Sequence, residues 1–295
     1  MARATFYILD VFAEKRYAGN QLAVFRHVEG IDDAEMQQIA RETNFSETTF
    51  IMSDQPENSG FRVRIFTPGE EVPFAGHPTL GTAFVIQQEI IRQSVEKVVL
   101  NLKVGLIPVL FNYVDGNPDI MWMRQQPPTF GEIFRAAEIV KAIGLSVDDV
   151  DQRFPIQEVS TGMAAVIVPL KNLESLQKAR VDRKQFLEVV ANIDAKNIFI
   201  FCPKSHGGGS DFSVRCFAEF YGITEDPATG SANGCFAGYL AKHRYLGSER
   251  VSVRVEQGYE IGRPSLLYLE SSAQGEKVDV SVGGRAVMVA RGEWL

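Results

Sequence analysis

The chain has 295 residues, 45% of them hydrophobic and 23% charged, enough for two domains of ordinary size with real cores and unlike disordered or collagen-like sequences. Thirty-seven acidic against 30 basic side chains give a net charge of -7, which argues against nucleic acid or an anionic membrane as the main partner. No run approaches the ~18 apolar residues of a membrane helix, the N-terminus lacks the apolar core of a signal peptide, and Cys202, Cys216 and Cys235, an odd number without C-x-x-C spacing, suit a reducing cytoplasm.

The first ~12 residues alternate apolar and polar, ending Ile8-Leu9-Asp10-Val11-Phe12, and predict a strand. Gly19-Asn20 turns the chain into a second strand over Leu22–Phe25. Asp32 or Asp33 caps a helix with Met36, Ile39 and Ala40 at helical spacing, ending near Thr43-Asn44. Residues 44–52 form a short connection running into a strand, and Phe61–Thr67 alternates as a half-buried one. After Pro68-Gly69 a glycine-bounded segment around His77 opens a helix with Pro78 in its first turn, where a missing N–H costs nothing. Residues 95–114 and 118–124 read as a three-stranded meander, with Asp115-Gly116-Asn117 as the hairpin signal.

Pro127-Pro128 marks the expected domain boundary, giving halves of 1–127 and 128–295, with the last strands free to cross back to the first half. A helix is predicted over 132–143, stopped by Gly144; then come strands at 156–160 and 163–169, a helix over 182–192 and the strand Ile198–Phe201. His206-Gly207-Gly208-Gly209-Ser210 is a flexible turn and not a phosphate loop, because no Gly-Lys-Ser or helix follows. The strand Phe212–Phe217 leads into Glu225-Asp226-Pro227-Ala228-Thr229-Gly230-Ser231 and a helix to about Lys242; four strands close the chain from Arg250.

The second half repeats the first. Setting His77 on Asp226, an offset of 149 residues, pairs Pro78 with Pro227, Gly81 with Gly230 and Thr82 with Ser231, and places Phe50 on Phe199. Upstream, Arg64-Ile65-Phe66 is echoed by Arg215-Cys216-Phe217 with the spacing changed by two. A whole α/β domain used twice predicts a pseudo-twofold pair with a cleft between the halves.

Helix starts carry unpaired N–H groups and a partial positive charge, so two glycine-rich copies at equivalent positions fit a carboxylate- or phosphate-binding cleft. The plainer reading is ordinary capping by Asp, Ser and Thr. His77 suits a general acid–base or a hydrogen-bond donor, against a satisfied structural histidine. Glu47, between Ser46 and Thr48 at a strand entry, is either a solvent-facing glutamate or a half-buried carboxylate fit for proton shuttling. Gly230-Ser231-Ala232-Asn233-Gly234 sets its serine one place too early for a hydrolase elbow. The four histidines show no metal-ligand spacing, so no metal site is expected.

Three separated motifs, Asn44-Phe45-Ser46-Glu47-Thr48-Thr49-Phe50, Phe66-Thr67-Pro68 with Val72-Pro73-Phe74-Ala75-Gly76-His77-Pro78, and Glu225-Asp226-Pro227-Ala228-Thr229-Gly230-Ser231-Ala232, are similar to the PhzF (phenazine biosynthesis) family, and the likeness extends from Gly19-Asn20 to Gln257-Gly258-Tyr259-Glu260-Ile261-Gly262-Arg263-Pro264. The resemblance implies an α+β, diaminopimelate-epimerase-like fold of two pseudo-symmetric halves, each a barrel-like mixed sheet around a central helix. It also implies a cytoplasmic homodimer working on a small carboxylate without cofactor or metal, as in the isomerisation of trans-2,3-dihydro-3-hydroxyanthranilate. Carried over by motif, Glu47 moves a proton between ring carbons while His77 and Asp226 hydrogen-bond and place the substrate. The Ser46–Glu47 and Gly76–His77 amides and Ser231 hold its carboxylate, Gly230 is a further substrate-binding residue, and Asn20 lines the same pocket. Gln21, where proline is common, and Pro227 and Asn233, in place of alanines, depart from the family pattern. The epimerase cousins use two cysteines; His77 and Asp226 are expected in their places, which favours double-bond migration by Glu47 over inversion. An epimerase using His77 and Asp226 as opposed bases, and a non-catalytic carboxylate binder, are the alternatives.

Overall fold

The computed structural model describes residues 4–275 and 277–295. The first stretch runs β1 (Ala4–Val11), β2 (Asn20–Arg26), α1 (Asp33–Thr43), β3 (Thr48–Ile51), β4 (Phe61–Phe66), β5 (Glu71–Val72) and α2 (Gly76–Val85, prolonged by a π-helical turn over Ile86–Ile91). A meander follows: β6 (Lys97–Leu102), β7 (Gly105–Val114) and β8 (Asn117–Arg124). The second stretch has β9 (Thr129–Phe134), α3 (Ala136–Ile139), β10 (Ile156–Ser160), β11 (Ala164–Pro169), α4 (Leu173–Lys178), α5 (Arg183–Val190), β12 (Asn197–Cys202), β13 (Phe212–Ala218) and β14 (Ile223–Asp226). It continues through α6 (Gly230–Lys242), β15 (Arg250–Gln257), β16 (Ser265–Gln274) and β17 (Lys277–Gly284), and the chain closes on β18 (Ala286–Trp294).

Two compact units result, Met1–Met123 with Gly283–Leu295, and Arg124–Val282. In the first, strands join in the series β18–β1–β2–β3–β4–β6–β7–β8; β2/β3 and β4/β6 are parallel and the rest antiparallel. Each parallel join is made through a helix, α1 and then α2, as a parallel crossover demands. In the second unit the series is β9–β10–β11–β12–β13–β15–β16, with parallel joins at β11/β12, through α4 and α5, and at β13/β15, through α6. The order of antiparallel and parallel joins is the same in both, so the duplication seen in the sequence is one of topology.

The first crossover in each unit is amphipathic and lies on one face of its sheet. Asp32 caps α1 through the Glu35 amide, and Met36, Ile39 and Ala40 pack on Phe25, Phe50 and Phe66. Phe186, Val190 and Leu176 do the same for α5 and α4. The second crossover is different. Helix α2 is buried at nine of its ten positions, against β1, β2, β3, β6, β7 and β18, and α6 at twelve of thirteen, against β10, β11, β15 and β16. Helices rich in Gly, Ala, Thr and Ser have no polar face to turn outward, and the sheet wraps them. Small residues permit that approach: a Cβ on Gly81 would sit 2.5 Å from Leu22 Cδ2, and one on Gly238 2.9 Å from the Pro128 ring. Internal hydroxyls find partners, Thr49 with Thr82 at 2.8 Å and Thr79 with the Ala75 carbonyl at 2.7 Å.

The helix predicted over 132–143 begins later than its periodicity suggested. Residues through Phe134 instead form β9, whose Ile133 and Phe134 pair with Gln157 and Ile156 of β10. Helix α3 and a 3-10 turn over Val140–Ile143 follow, ended by Gly144 at φ 63°. Helix α4, six residues capped by Asn172, and the short β14 were too brief to show a period.

Candidate active site

Each helix start is set by a hairpin locked with an arginine. Arg64 on β4 grips Glu71 on β5 with two hydrogen bonds of 2.9 and 2.8 Å, and Arg215 on β13 grips Glu225 on β14 at 3.0 and 2.7 Å. Both arginines also lie over the phenylalanine two residues on, Phe66 at 5.1 Å and Phe217 at 4.9 Å. Ile65 faces Val72 across the first hairpin, and Cys216 faces Asp226 across the second.

These pairings revise the alignment of the repeat. Matching Glu71 with Glu225 also matches Pro73 with Pro227 and the first helical residues Gly76 and Gly230, all at an offset of 154. His77 then corresponds to Ser231, and Asp226 to Val72. His77 is the second residue of α2, whereas Asp226 ends β14 four residues ahead of α6. The offset of 149 came from Pro78 and Gly81, which mimic Pro227 and Gly230 five residues too late. In the core strands Ile200, not Phe199, takes the place of Phe50, since each of the two faces its arginine.

Neither site helix is capped by a side chain. Ala75 and Thr229 are the N-caps of α2 and α6, and neither side chain bonds the first-turn amides. Helices α1, α4 and α5 are capped by Asp32, Asn172 and Asp182. Ordinary side-chain capping of the two motifs is thus absent at these N-caps, which leaves their first-turn N–H groups without that acceptor.

In the first unit Glu47, half-buried ahead of β3, brings Oε2 to 3.5 Å from Nε2 of His77, whose side chain is 6% exposed. The same Nε2 lies 3.2 Å from the Gln21 carbonyl, which only accepts, so the ring carries its hydrogen there. Burial pushes the His77 pKa down to about 3, only partly offset by the Gln21 bond. The imidazole is neutral at working pH, and its contact with Glu47 is not an ion pair. Asn20 is buried at the start of β2, presented by Gly19 at φ 65°, where a Cβ would meet the Val11 carbonyl oxygen at 2.3 Å. Ser46 is half-buried beside Glu47, and Gly76 is buried as the first residue of α2. Glu47 and His77 are thus brought together by the first unit alone.

In the second unit Asp226 and Ser231 are each 9% exposed, and Gly230 is buried as the first residue of α6. The Asp226 carboxylate accepts from the Thr229 hydroxyl. Gln257, at the end of β15, bonds the Asp226 carbonyl, Thr229 and Asn233. Sequence reasoning gave Gln257 no role. The signal was present: β15 alternates buried and exposed until Glu256 and Gln257, two consecutive polar residues, are both buried. The His206 turn is not loose at its head. His206 sits between Glu256 at 3.0 Å and Glu260 at 2.9 Å and stacks on Tyr259. All three cysteines are buried, with burial pushing Cys202 and Cys235 each up to about 11 and Cys216 higher still, so they act as core residues.

A family model described as phenazine biosynthesis-like protein, PhzC-PhzF, matches residues 9–292. A trans-2,3-dihydro-3-hydroxyanthranilate isomerase of Pseudomonas aeruginosa is 35% identical over 288 residues, covering 97% of this chain and 98% of that one. Among solved structures, a phenazine biosynthesis protein of the PhzF family from Bacillus anthracis superposes with a TM-score of 0.91 at 30% identity, covering the whole of both chains. A hydroxyproline epimerase from Agrobacterium vitis, 11% identical, shares the fold at a TM-score of 0.65 over 100% of this chain and 91% of its own. No helix of the described residues is long and apolar enough to cross a membrane.

Proposed function

The chain belongs to the phenazine biosynthesis-like PhzC-PhzF family of isomerases, and we propose that it moves a proton, and with it a double bond, within a small cyclic amino or hydroxy carboxylate. Glu47 is the acid–base of this reading. The observation that carries it is the buried His77 ring with Nε2 3.5 Å from Glu47: an imidazolium there would drain the carboxylate of basicity, whereas a ring held neutral by burial leaves Glu47 able to take a proton from carbon. The protonated Glu47 then returns that proton to a second carbon on the same face of the ring. No cofactor enters these steps.

The substrate carboxylate is assigned to the Ser46–Glu47 and Gly76–His77 amides, in keeping with the uncapped start of α2. Asn20 acts on the same substrate molecule in this reading, and Asp226, Gly230 and Ser231 are proposed as substrate-binding groups. A racemase or epimerase with His77 and Asp226 as opposed bases drew on their equivalence in the repeat, and the hairpin register pairs each with a different residue.

Trans-2,3-dihydro-3-hydroxyanthranilate, the compound named for the Pseudomonas aeruginosa relative, is the first substrate to try. Loss of its diene absorbance, with one solvent deuterium entering carbon in D2O, is the expected result. Unchanged absorbance and no exchange, with the compound bound, would leave a carboxylate-binding protein in place of the isomerase.

A further inference from the structure

Gln257 is 1% exposed and lies against the turn between β14 and α6. Two backbone groups fix the orientation of its amide. The Asp226 carbonyl only accepts, so the atom 2.8 Å from it is Nε2; the Thr229 N–H only donates, so the atom 3.2 Å from it is Oε1. Asn233 Nδ2 also donates to that Oε1, at 2.9 Å. The second hydrogen on Nε2 points at Thr229 Oγ1, 3.0 Å away. With its oxygen accepting there, the Thr229 hydroxyl directs its own hydrogen to Asp226 Oδ2.

We propose that Gln257 and Thr229 are positioning residues for Asp226, a one-way chain of donors that fixes the rotamer of its carboxylate and keeps it an ionised acceptor. The proposal rests on reading Asp226 as a group that places substrate. Donors in series polarise one another in a buried setting, so the last bond, to the carboxylate, gains most. Thr229 is also the N-cap of α6, and the hydroxyl turned toward Asp226 is the one that would otherwise cap that helix. One side chain thereby aims the carboxylate and leaves the Gly230 and Ser231 amides without a side-chain cap.

Cys216, opposite Asp226 on β13, also meets the Thr229 hydroxyl, and it is held as a thiol by burial first and by the charge of Asp226 second. Glu225, its neighbour, is bound by Arg215, whose other carboxylate contact is Glu260 at 3.9 Å. From β15 and α6 the facing groups, Gln257 and Asn233, carry no charge.

A 13C NMR titration of the aspartate carboxylates, with Asp226 assigned by Asp226→Asn, reads the chain without substrate. Thr229→Val and Gln257→Met, close in shape to the native residues, are expected to raise the pH at which Asp226 protonates by about half a unit or more, while Thr229→Ser leaves it unmoved. For turnover of dihydro-hydroxyanthranilate, both are expected to lower kcat/KM about tenfold and shift its acid limb the same way, with the double variant no worse than either single. If Gln257→Met fails to fold, Thr229→Val carries the test. An unmoved Asp226 titration in folded Thr229→Val overturns the proposal, whether or not the protein is an isomerase. A moved titration in a protein that leaves the compound unchanged keeps the chain and removes this compound as its substrate.

Discussion

His77 Nε2 lies near two oxygens, 3.2 Å from the Gln21 carbonyl that takes its hydrogen and 3.5 Å from Glu47 Oε2, and burial, outweighing the Gln21 bond, holds the ring uncharged. The hydrogen bond to a backbone carbonyl fixes the tautomer, and the tautomer fixes what His77 can offer a carboxylate. It offers Glu47 a neutral polar neighbour, not a countercharge.

Acid stability follows from this. Unfolded, His77 titrates near its ordinary 6.5; folded, it titrates at about 3. The unfolded state therefore binds the proton more tightly, so stability from this group is complete above pH 6.5 and falls as pH drops toward 3. Between pH 6.5 and 5 the loss is about 2 kcal/mol. Urea unfolding at pH 7.5 and 5 measures it; in His77→Gln the pH-dependent loss shrinks by that amount. A 15N spectrum showing His77 charged at pH 6 would contradict the assignment.

Glu47→Gln keeps the shape of the side chain and removes the base. Turnover is expected to fall by roughly 10²–10⁴-fold with substrate-carboxylate affinity held within a few-fold. Stopped-flow binding beside steady-state assays separates the two; equal losses in both would make Glu47 a binding group.

The two arginine clasps differ in burial, and their variants should differ in cost. Arg215 is 5% exposed and also donates to the Leu176 and Ala179 carbonyls, whereas Arg64 is 16% exposed and shares itself with the exposed Asp33. Arg215→Ala leaves Glu225 buried and alone and is expected to cost about 3–5 kcal/mol. Arg64→Ala should cost clearly less in the same denaturant titration. Arg215→Met with Glu225→Leu should recover much of the loss, because neither side of the clasp is then left charged without the other.

Gly19→Ala tests the presentation of Asn20. Positive φ and a Cβ 2.3 Å from the Val11 carbonyl oxygen both oppose the methyl, so a loss on the order of 1–3 kcal/mol is expected. Substrate KM should rise with it, since the strain falls at the start of β2. Wild-type KM and stability together would show that the turn relaxes freely.

Local order was plain in the sequence, and what depends on distant partners was not. Asp32 with Met36, Ile39 and Ala40 announces α1, and Asp115-Gly116 announces a two-residue hairpin whose φ angles are 49° and 77°. The Glu47–His77 contact spans 30 residues and was named through the family motifs, because no periodicity encodes it. Gln257 reaches Asp226 across 31 residues and carried no local signal beyond a break in alternation. The repeat itself was legible, but its register was not: Pro-x-x-Gly occurs at both Pro73–Gly76 and Pro78–Gly81, and only the Arg64–Glu71 clasp decides between them.

Strand β18 pairs with β1 along its whole length, so the first unit takes its last strand from the end of the chain. Synthesis at about 5–20 residues per second exposes β1 for many seconds before its partner exists. Over that interval the hydrogen-bonding edge of Ala4–Val11 is open to other chains, whereas the contiguous second unit needs no strand made after it. The half that is begun first is therefore the last to be complete. A chain cut before Ala286 would be stranded at that stage, with an intact second unit and an unsealed first sheet.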